Sequence, residues 1–127
     1  MTGPAQIKSY RDLRIWQDSM TSAERAYRLT RQFPREETFG LSAQIRRAAA
    51  SIPANIAEGH GRENTQSFIQ YLRIAQGSLK ELETHLILAG RVGLVGAENV
   101  EELLRQCEAV GKMVRLLIRS LQGKTRR

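Results

Sequence analysis

The sequence has one cysteine, two histidines, three prolines and only 6% aromatic residues among its 127 positions. Each shortage excludes something. Cys107 alone cannot form an intramolecular disulfide, which fits a reducing cytoplasm. With His60 and His85 as the only histidines, there is no Glu-x-x-His pair, no His-Glu-x-x-His and no Cys-x-x-Cys, so no metal site or cofactor is expected. Few prolines and aromatics argue against a β-sandwich and against a base-stacking platform for single-stranded RNA. The longest uncharged run, Ala48 to Ala57, spans ten residues and is far too short to cross a membrane. No apolar core of a signal peptide lies between Met1 and Tyr10. Nucleophile motifs are also missing. Ser51 and Ser78 sit in no Gly-x-Ser-x-Gly elbow, and no P-loop or dinucleotide fingerprint occurs. The expectation is a protein that is not an enzyme.

What the chain does have is helical periodicity. Leu13, Trp16, Met20, Ala23, Tyr27 and Thr30 recur at steps of three and four, which predicts a helix from about Asp12 to Gln32, stopped by Phe33-Pro34. A second predicted helix starts near Phe39-Gly40, carries Leu41, Ile45, Ala48, Ile52 and Ile56, and is expected to end at Gly59 and Gly61. Pro53 within it should leave the Ala49 carbonyl short of a partner and bend the helix. The third follows a cap-like Asn64-Thr65 with Phe68, Leu72, Ala75, Leu79, Leu82, Leu86 and Ala89. The fourth runs from about Glu98 to Gln122 on Val100, Leu103, Cys107, Val110, Val114, Leu117 and Leu121. Short connections favour antiparallel neighbours, hence an all-α, up-down-up-down four-helix bundle over residues 12–122. An N-terminal extension, 1–11, and a basic tail, 123–127, flank it.

Two of the helices carry more pattern than a one-sided surface helix needs. Opposite its Leu/Ile stripe the second helix has the small residues Ala43, Ala50, Ala54 and Ala57, and between the faces a polar strip of Gln44, Ser51, Asn55 and Glu58. The third helix has a matching strip, Ile74, Ser78, Glu81 and His85, with Gly77 beside it. A mid-helix glycine costs about 1 kcal/mol against alanine and suggests a close backbone approach. These strips are either plain exposed surface or a packing face, within or between subunits, in which Gln44, Ser51, Asn55, Glu58, Ser78 and Glu81 fix the register. A catalytic site formed between subunits from Glu58, Arg62, Glu81 and His85 is the enzymatic alternative.

Charge supplies the second lead. Twenty Lys and Arg, sixteen of them Arg, stand against thirteen acids, for a net +7. Arg14–Asp18, Glu24–Arg28, Glu101–Arg105 and Glu108–Lys112 are spaced for i,i+4 pairing. Arg46, Arg47, Arg73 and Arg91 have no such acid, and Arg105, Lys112, Arg115 and Arg119 share one face of the fourth helix. Guanidinium groups suit bidentate contact with phosphate oxygens, which points to nucleic acid recognised by backbone and shape. Arg46, Arg47, Arg115 and Arg119 are the candidates for phosphate contact. Arg46 and Arg47 could equally serve as partners of Glu58 or Glu81 inside an assembly.

The run from Phe33-Pro34 through Glu37-Thr38-Phe39-Gly40-Leu41, Gln44-Ile45-Arg46-Arg47-Ala48-Ala49, Ser51-Ile52-Pro53-Ala54-Asn55-Ile56-Ala57-Glu58-Gly59 and Gly61-Arg62 closely resembles the four-helix-bundle proteins encoded in bacterial 23S rRNA intervening sequences. Trp16-Gln17, Tyr71-Leu72-Arg73-Ile74-Ala75 and Gly77-Ser78-Leu79-Lys80-Glu81-Leu82-Glu83 match the same family, so the resemblance covers about residues 10–121. It implies a ring-like homopentamer. Accessory proteins of diversity-generating retroelements look like distant relatives, and they bind nucleic acid and associate with a reverse transcriptase. The resulting expectation is a cytoplasmic, oligomeric, non-enzymatic bundle that binds structured RNA through arginine-rich surfaces. The alternative is a scaffold that presents a repeated surface to a protein partner such as a polymerase.

Overall fold

The computed structural model describes residues 7–125, and these contain four α-helices and no strand. The helices are α1, Arg14–Thr30; α2, Leu41–Gly61; α3, Thr65–Arg91; and α4, Ala97–Thr125. Neighbours in sequence pack on each other, α1 also packs on α4, and the backbones of α2 and α4 stay apart across one shared core. No described helix is long and apolar enough to cross a membrane.

Local signals explain most of the boundaries. Asn64 caps α3 as its sequence suggests, its side-chain oxygen accepting the Ser67 N–H at 2.9 Å. Before α1, a 3-10 turn at Tyr10–Asp12 is closed by a capping box in which Ser9 accepts the Arg11 N–H and Asp12 accepts the N–H groups of Lys8 and Ser9. Those two backbone bonds hold the Asp12 carboxyl below its ordinary pKa. The turn sets Tyr10 edge-on to Trp16, with ring centroids 5.3 Å apart. α1 ends at Thr30, and buried Phe33 then anchors the chain ahead of a second 3-10 turn at Arg35–Glu37. α4 continues past Gln122 through Gly123 and Lys124 to Thr125, where the sequence suggests a tail; Arg126 and Arg127 lie outside the described residues. α2 runs unbroken through Pro53, which is itself buried.

The core follows the predicted stripes on three helices. Ile45, Ile52 and Ile56 of α2, Leu72, Leu79, Leu82 and Leu86 of α3, and Val110 and Val114 of α4 are almost wholly removed from water. Each such aliphatic side chain contributes about 1.5–3 kcal/mol relative to an exposed one. Small shifts occur at two places: Ile69 is more deeply buried than Phe68, and Ile118 more than Leu117. Cys107 is buried in the same core as a free thiol.

α1 follows its expected face only in part. Ala23 and Thr30 of the expected stripe are buried and Leu13 and Trp16 pack on the core, but Ile15, Ser19, Ser22 and Ala26 also turn inward while Met20 and Tyr27 are 37% and 41% exposed. The reason is that the three hydroxyls satisfy themselves. Ser19 donates to the Trp16 carbonyl at 2.9 Å, Ser22 to that of Asp18 at 3.2 Å and Thr30 to that of Tyr27 at 2.8 Å. Burial then costs these groups little, and their small size lets α1 lie close to its neighbours.

Candidate functional site

The α2–α3 seam is polar and well connected. Asn55 donates through Nδ2 to the Ser51 carbonyl at 2.8 Å and to Ser51 Oγ at 2.9 Å. The Ser51 hydroxyl also shares a hydrogen bond with Ser78 Oγ across the seam, at 2.8 Å. Two turns further along α2, Glu58 Oε2 accepts from Arg62 Nη2 at 3.1 Å and from the Tyr71 hydroxyl at 3.0 Å, while Arg62 also donates to Tyr71 Oη at 2.7 Å. These donors, Arg62 first and Tyr71 second, hold the Glu58 carboxyl below its ordinary pKa. The guanidinium also lies over the Tyr71 ring, 5.2 Å from its centroid. Of the six expected packing residues, Ser51, Asn55 and Ser78 thus meet directly and Glu58 bridges to α3 through Tyr71. Gln44 is half-buried at the start of the same strip, and Glu81 is exposed one turn beyond Ser78.

The seam does not gather a catalytic cluster within one chain. Glu58 and Arg62 sit beside Tyr71, and Glu81 follows Tyr71 by ten residues of α3, about 15 Å at 1.5 Å per residue. Gly59, expected to end α2, lies inside it and is buried against α3. Its missing side chain is what lets the two helices approach. Gly77 behaves in the opposite way: a Cβ there would meet no atom within 4 Å, so no close approach within the protomer explains it.

The four candidate phosphate-binding arginines fall on two opposed corners. Arg46 is half-buried on α2, donating from Nε to Thr30 Oγ1 at 2.8 Å with its guanidinium 5.0 Å from the Tyr27 ring centroid. It pairs with neither Glu58 nor Glu81. Arg47 is exposed on the same helix, and Arg115 and Arg119 are exposed on α4, whose backbone stays away from that of α2. Arg115 instead joins Arg73 and Lys80 of α3 around a groove of about 430 Å³ whose lining includes Gly77 and Gly111. Lys80 reaches Glu83 at 3.1 Å but stays 71% exposed. Arg73 and Arg115 have no ion-pair partner within 4 Å among the described residues, nor do Arg105 and Lys112, despite the spacing that predicted Glu101 and Glu108 as partners. Arg14–Asp18 and Glu24–Arg28 do pair, at 3.5 and 3.9 Å.

A second groove, about 580 Å³, runs between α1 and α2. Trp16, Met20 and Tyr27 form one wall, and Ala50, Ala54 and Ala57 form the other. Met20 and Tyr27, which α1 leaves exposed, and the partly buried Trp16 therefore lie beside the small face of α2. Sequence reasoning missed this juxtaposition and also Tyr71, which is thirteen residues from Glu58. Arg73 and Lys80 carried a partial signal, since Arg73 lacks a local acid.

Similarity to known proteins bears on the whole chain. A crystal structure of a protein of unknown function from the S23 ribosomal protein family of Bacteroides thetaiotaomicron superposes with a TM-score of 0.74 at 27% identity, covering 82% of this chain and 97% of that one. No curated protein matches. The family model described as 23S rRNA-intervening sequence protein matches residues 11–115, which takes in α1 to α3 and most of α4; the chain belongs to that family.

Proposed function

We propose that the protein is a cytoplasmic, non-enzymatic RNA-binding bundle whose α3–α4 groove contacts the phosphate backbone. The observation that carries this reading is the convergence of Arg73, Lys80 and Arg115 on one groove lined by two glycines, with Arg119 one turn along α4. Glycine at 77 and 111 keeps the groove open, so that a sugar-phosphate strand could approach the helix backbones while guanidinium groups reach its oxygens from both sides. Compared with the expectation from sequence, Arg115 and Arg119 are retained, Arg73 and Lys80 are added, and Arg46 is not part of this surface.

Geometry favours an antiparallel up-down-up-down protomer. Late residues of one helix face early residues of the next at Thr30 with Arg46, at Glu58 with Tyr71 and at Gly90 with Val100. A ring-like homopentamer is the assembly implied by the family resemblance, and the apolar α1–α2 groove is the face best suited to a neighbouring copy. Five chains of +7 would place about +35 on one particle, a field well matched to a polyanion.

Titration with a structured RNA across a salt series tests the reading. Affinity should fall steeply with salt, and the double variant Arg73→Ala/Arg115→Ala should flatten that slope by about 0.7–0.9 per contact removed. Absence of binding at low salt would overturn it. If the α1–α2 groove instead holds a protein partner such as a polymerase, the complex will survive nuclease treatment, and an Arg73→Ala/Arg115→Ala chain will still form it.

A further inference from the structure

A third recess lies where α1 passes into α2, and its chemistry differs from both grooves. It measures about 330 Å³ and is lined by three arginines, Arg31, Arg35 and Arg46, together with the hydroxyl residues Thr30, Thr38 and Ser42. None of the three arginines has an ion-pair partner within 4 Å among the described residues. Three cationic side chains with no acid paired to them give the recess a positive potential that would attract an anion.

The recess is also held in shape. Arg46 is fixed by its Nε bond to Thr30 and by the face of Tyr27, and its terminal N–H groups have no acceptor among the described residues. The chain between the helices is pinned by buried Phe33 and by the 3-10 turn at Arg35–Glu37. Glu37 forms no ion pair within 4 Å with any of these arginines; its Oε1 accepts the Leu41 N–H at 3.2 Å. Ser42, in the first turn of α2, is buried and lines the same space, beside the helix start that Glu37 caps.

We propose that this recess is a specific site for one phosphate group. Three guanidinium forks and two hydroxyls approaching from different helices suit a tetrahedral anion with several acceptor oxygens, whereas a carboxylate would be satisfied by one fork. The site stands apart from the α3–α4 groove and does not depend on RNA binding there. Free phosphate and the terminal phosphate of a nucleic acid present the same chemistry.

Calorimetric titration of the full chain with inorganic phosphate, at constant ionic strength held with sodium chloride, tests it. Saturable binding is expected, weakened about tenfold or more by Arg35→Ala and by Arg31→Ala. Both residues are exposed, so these variants should fold normally. Arg91→Ala, which removes the same charge elsewhere, should leave affinity within twofold. Equal weakening by all three variants, equally tight acetate binding, or no saturable binding would each overturn the proposal. A second arm compares a short RNA with a 5′-phosphate against the same RNA with a 5′-hydroxyl. A preference for the phosphorylated strand that Arg35→Ala abolishes identifies a nucleic-acid terminus as the source. No preference, with saturable inorganic phosphate binding retained, identifies free phosphate.

Discussion

A Cβ built on Gly59 would lie 2.6 Å from the Cβ of Tyr71, closer than two such atoms can stand, and 3.1 Å from a ring carbon of Phe68. The α2–α3 separation is therefore set at this point by the absence of a side chain. Gly59→Ala should destabilise the protein, because overpacking costs about 1–3 kcal/mol against a helix-propensity gain of about 1 kcal/mol. Gly77→Ala should do the reverse, gaining about 0.5–1 kcal/mol, since nothing obstructs the new methyl group. Urea unfolding of the two variants checks this, and shifts of the same sign would show that the helix spacing is not held at Gly59. If the α3–α4 groove binds RNA, Gly77→Ala should weaken that binding even as it stabilises the fold.

The contrast between these glycines also marks how far the sequence could be read. Both sit in helices, and a one-dimensional pattern has no means of telling a packed glycine from an open one. Periodicity located all four helices and the Ile/Leu/Val stripes of α2, α3 and α4, because large aliphatic residues there have only one low-energy destination. On α1 the same rule placed Ala23 and Thr30 correctly but misplaced Met20 and Tyr27, since Ser19 and Ser22 can be buried at little cost once their hydroxyls bond to the preceding turn. The polar strip was visible at Ser51, Asn55 and Ser78, but its closure onto Tyr71 was not, as that contact depends on the register between helices. For the arginines, local counting of acids found the surplus at Arg73 and Arg115, and only the fold could show that Arg46 faces Tyr27.

Arg46 and Arg115 should separate stability from RNA affinity. Arg46→Ala removes a hydrogen bond and a ring contact between α2 and α1, which together are worth about 1–2 kcal/mol. Arg115→Ala removes an exposed side chain and should leave stability within about 0.5 kcal/mol. Its effect should fall on RNA affinity and on the salt slope. Denaturation curves paired with filter retention of a structured RNA distinguish the two, and a large stability loss in Arg115→Ala would argue that this residue packs the bundle.

Glu58 makes the seam pH-dependent in a defined direction. Its pKa lies below the usual 4.5 in the folded chain, so its contribution to stability is complete above that value and is lost as pH falls through the lower folded value. Wild type should accordingly be more stable than Glu58→Gln at pH 7, and the difference should vanish in acid. The pair is exposed and will be weakened by salt, so the comparison belongs at low ionic strength. A gap between the two proteins that persists unchanged into acid would assign Glu58 a role independent of its charge.

Cys107 should be chemically silent until the bundle opens. Burial, and secondarily the charge of Glu83, push its thiol up to about 12. Only about one thiol in ten thousand would then be ionised at pH 8, and the sulfur is out of reach of reagents as well. Labelling with iodoacetamide should follow the unfolding curve in urea. Rapid labelling of the native protein would mean that α4 detaches readily from the core.

Ala54 offers the sharpest test of self-association, because it is exposed in the protomer and stands on the small-residue wall opposite Trp16, Met20 and Tyr27. Replacing it with glutamate places a charge, two extra carbon atoms and two oxygens on the groove without touching the core. If a second chain fills that groove, Ala54→Glu must bury an unpaired carboxylate at the interface, a cost of several kcal/mol that a modest contact cannot absorb. Light scattering should then report an oligomer for wild type and a 14.4 kDa particle for the variant, with the same helical circular dichroism for both. An oligomer that tolerates the glutamate would place the subunit contact on another face and leave the α1–α2 groove free for a different partner. A monomeric wild type would remove the ring altogether, and with it the summed charge that makes a +7 chain a strong binder of polyanions.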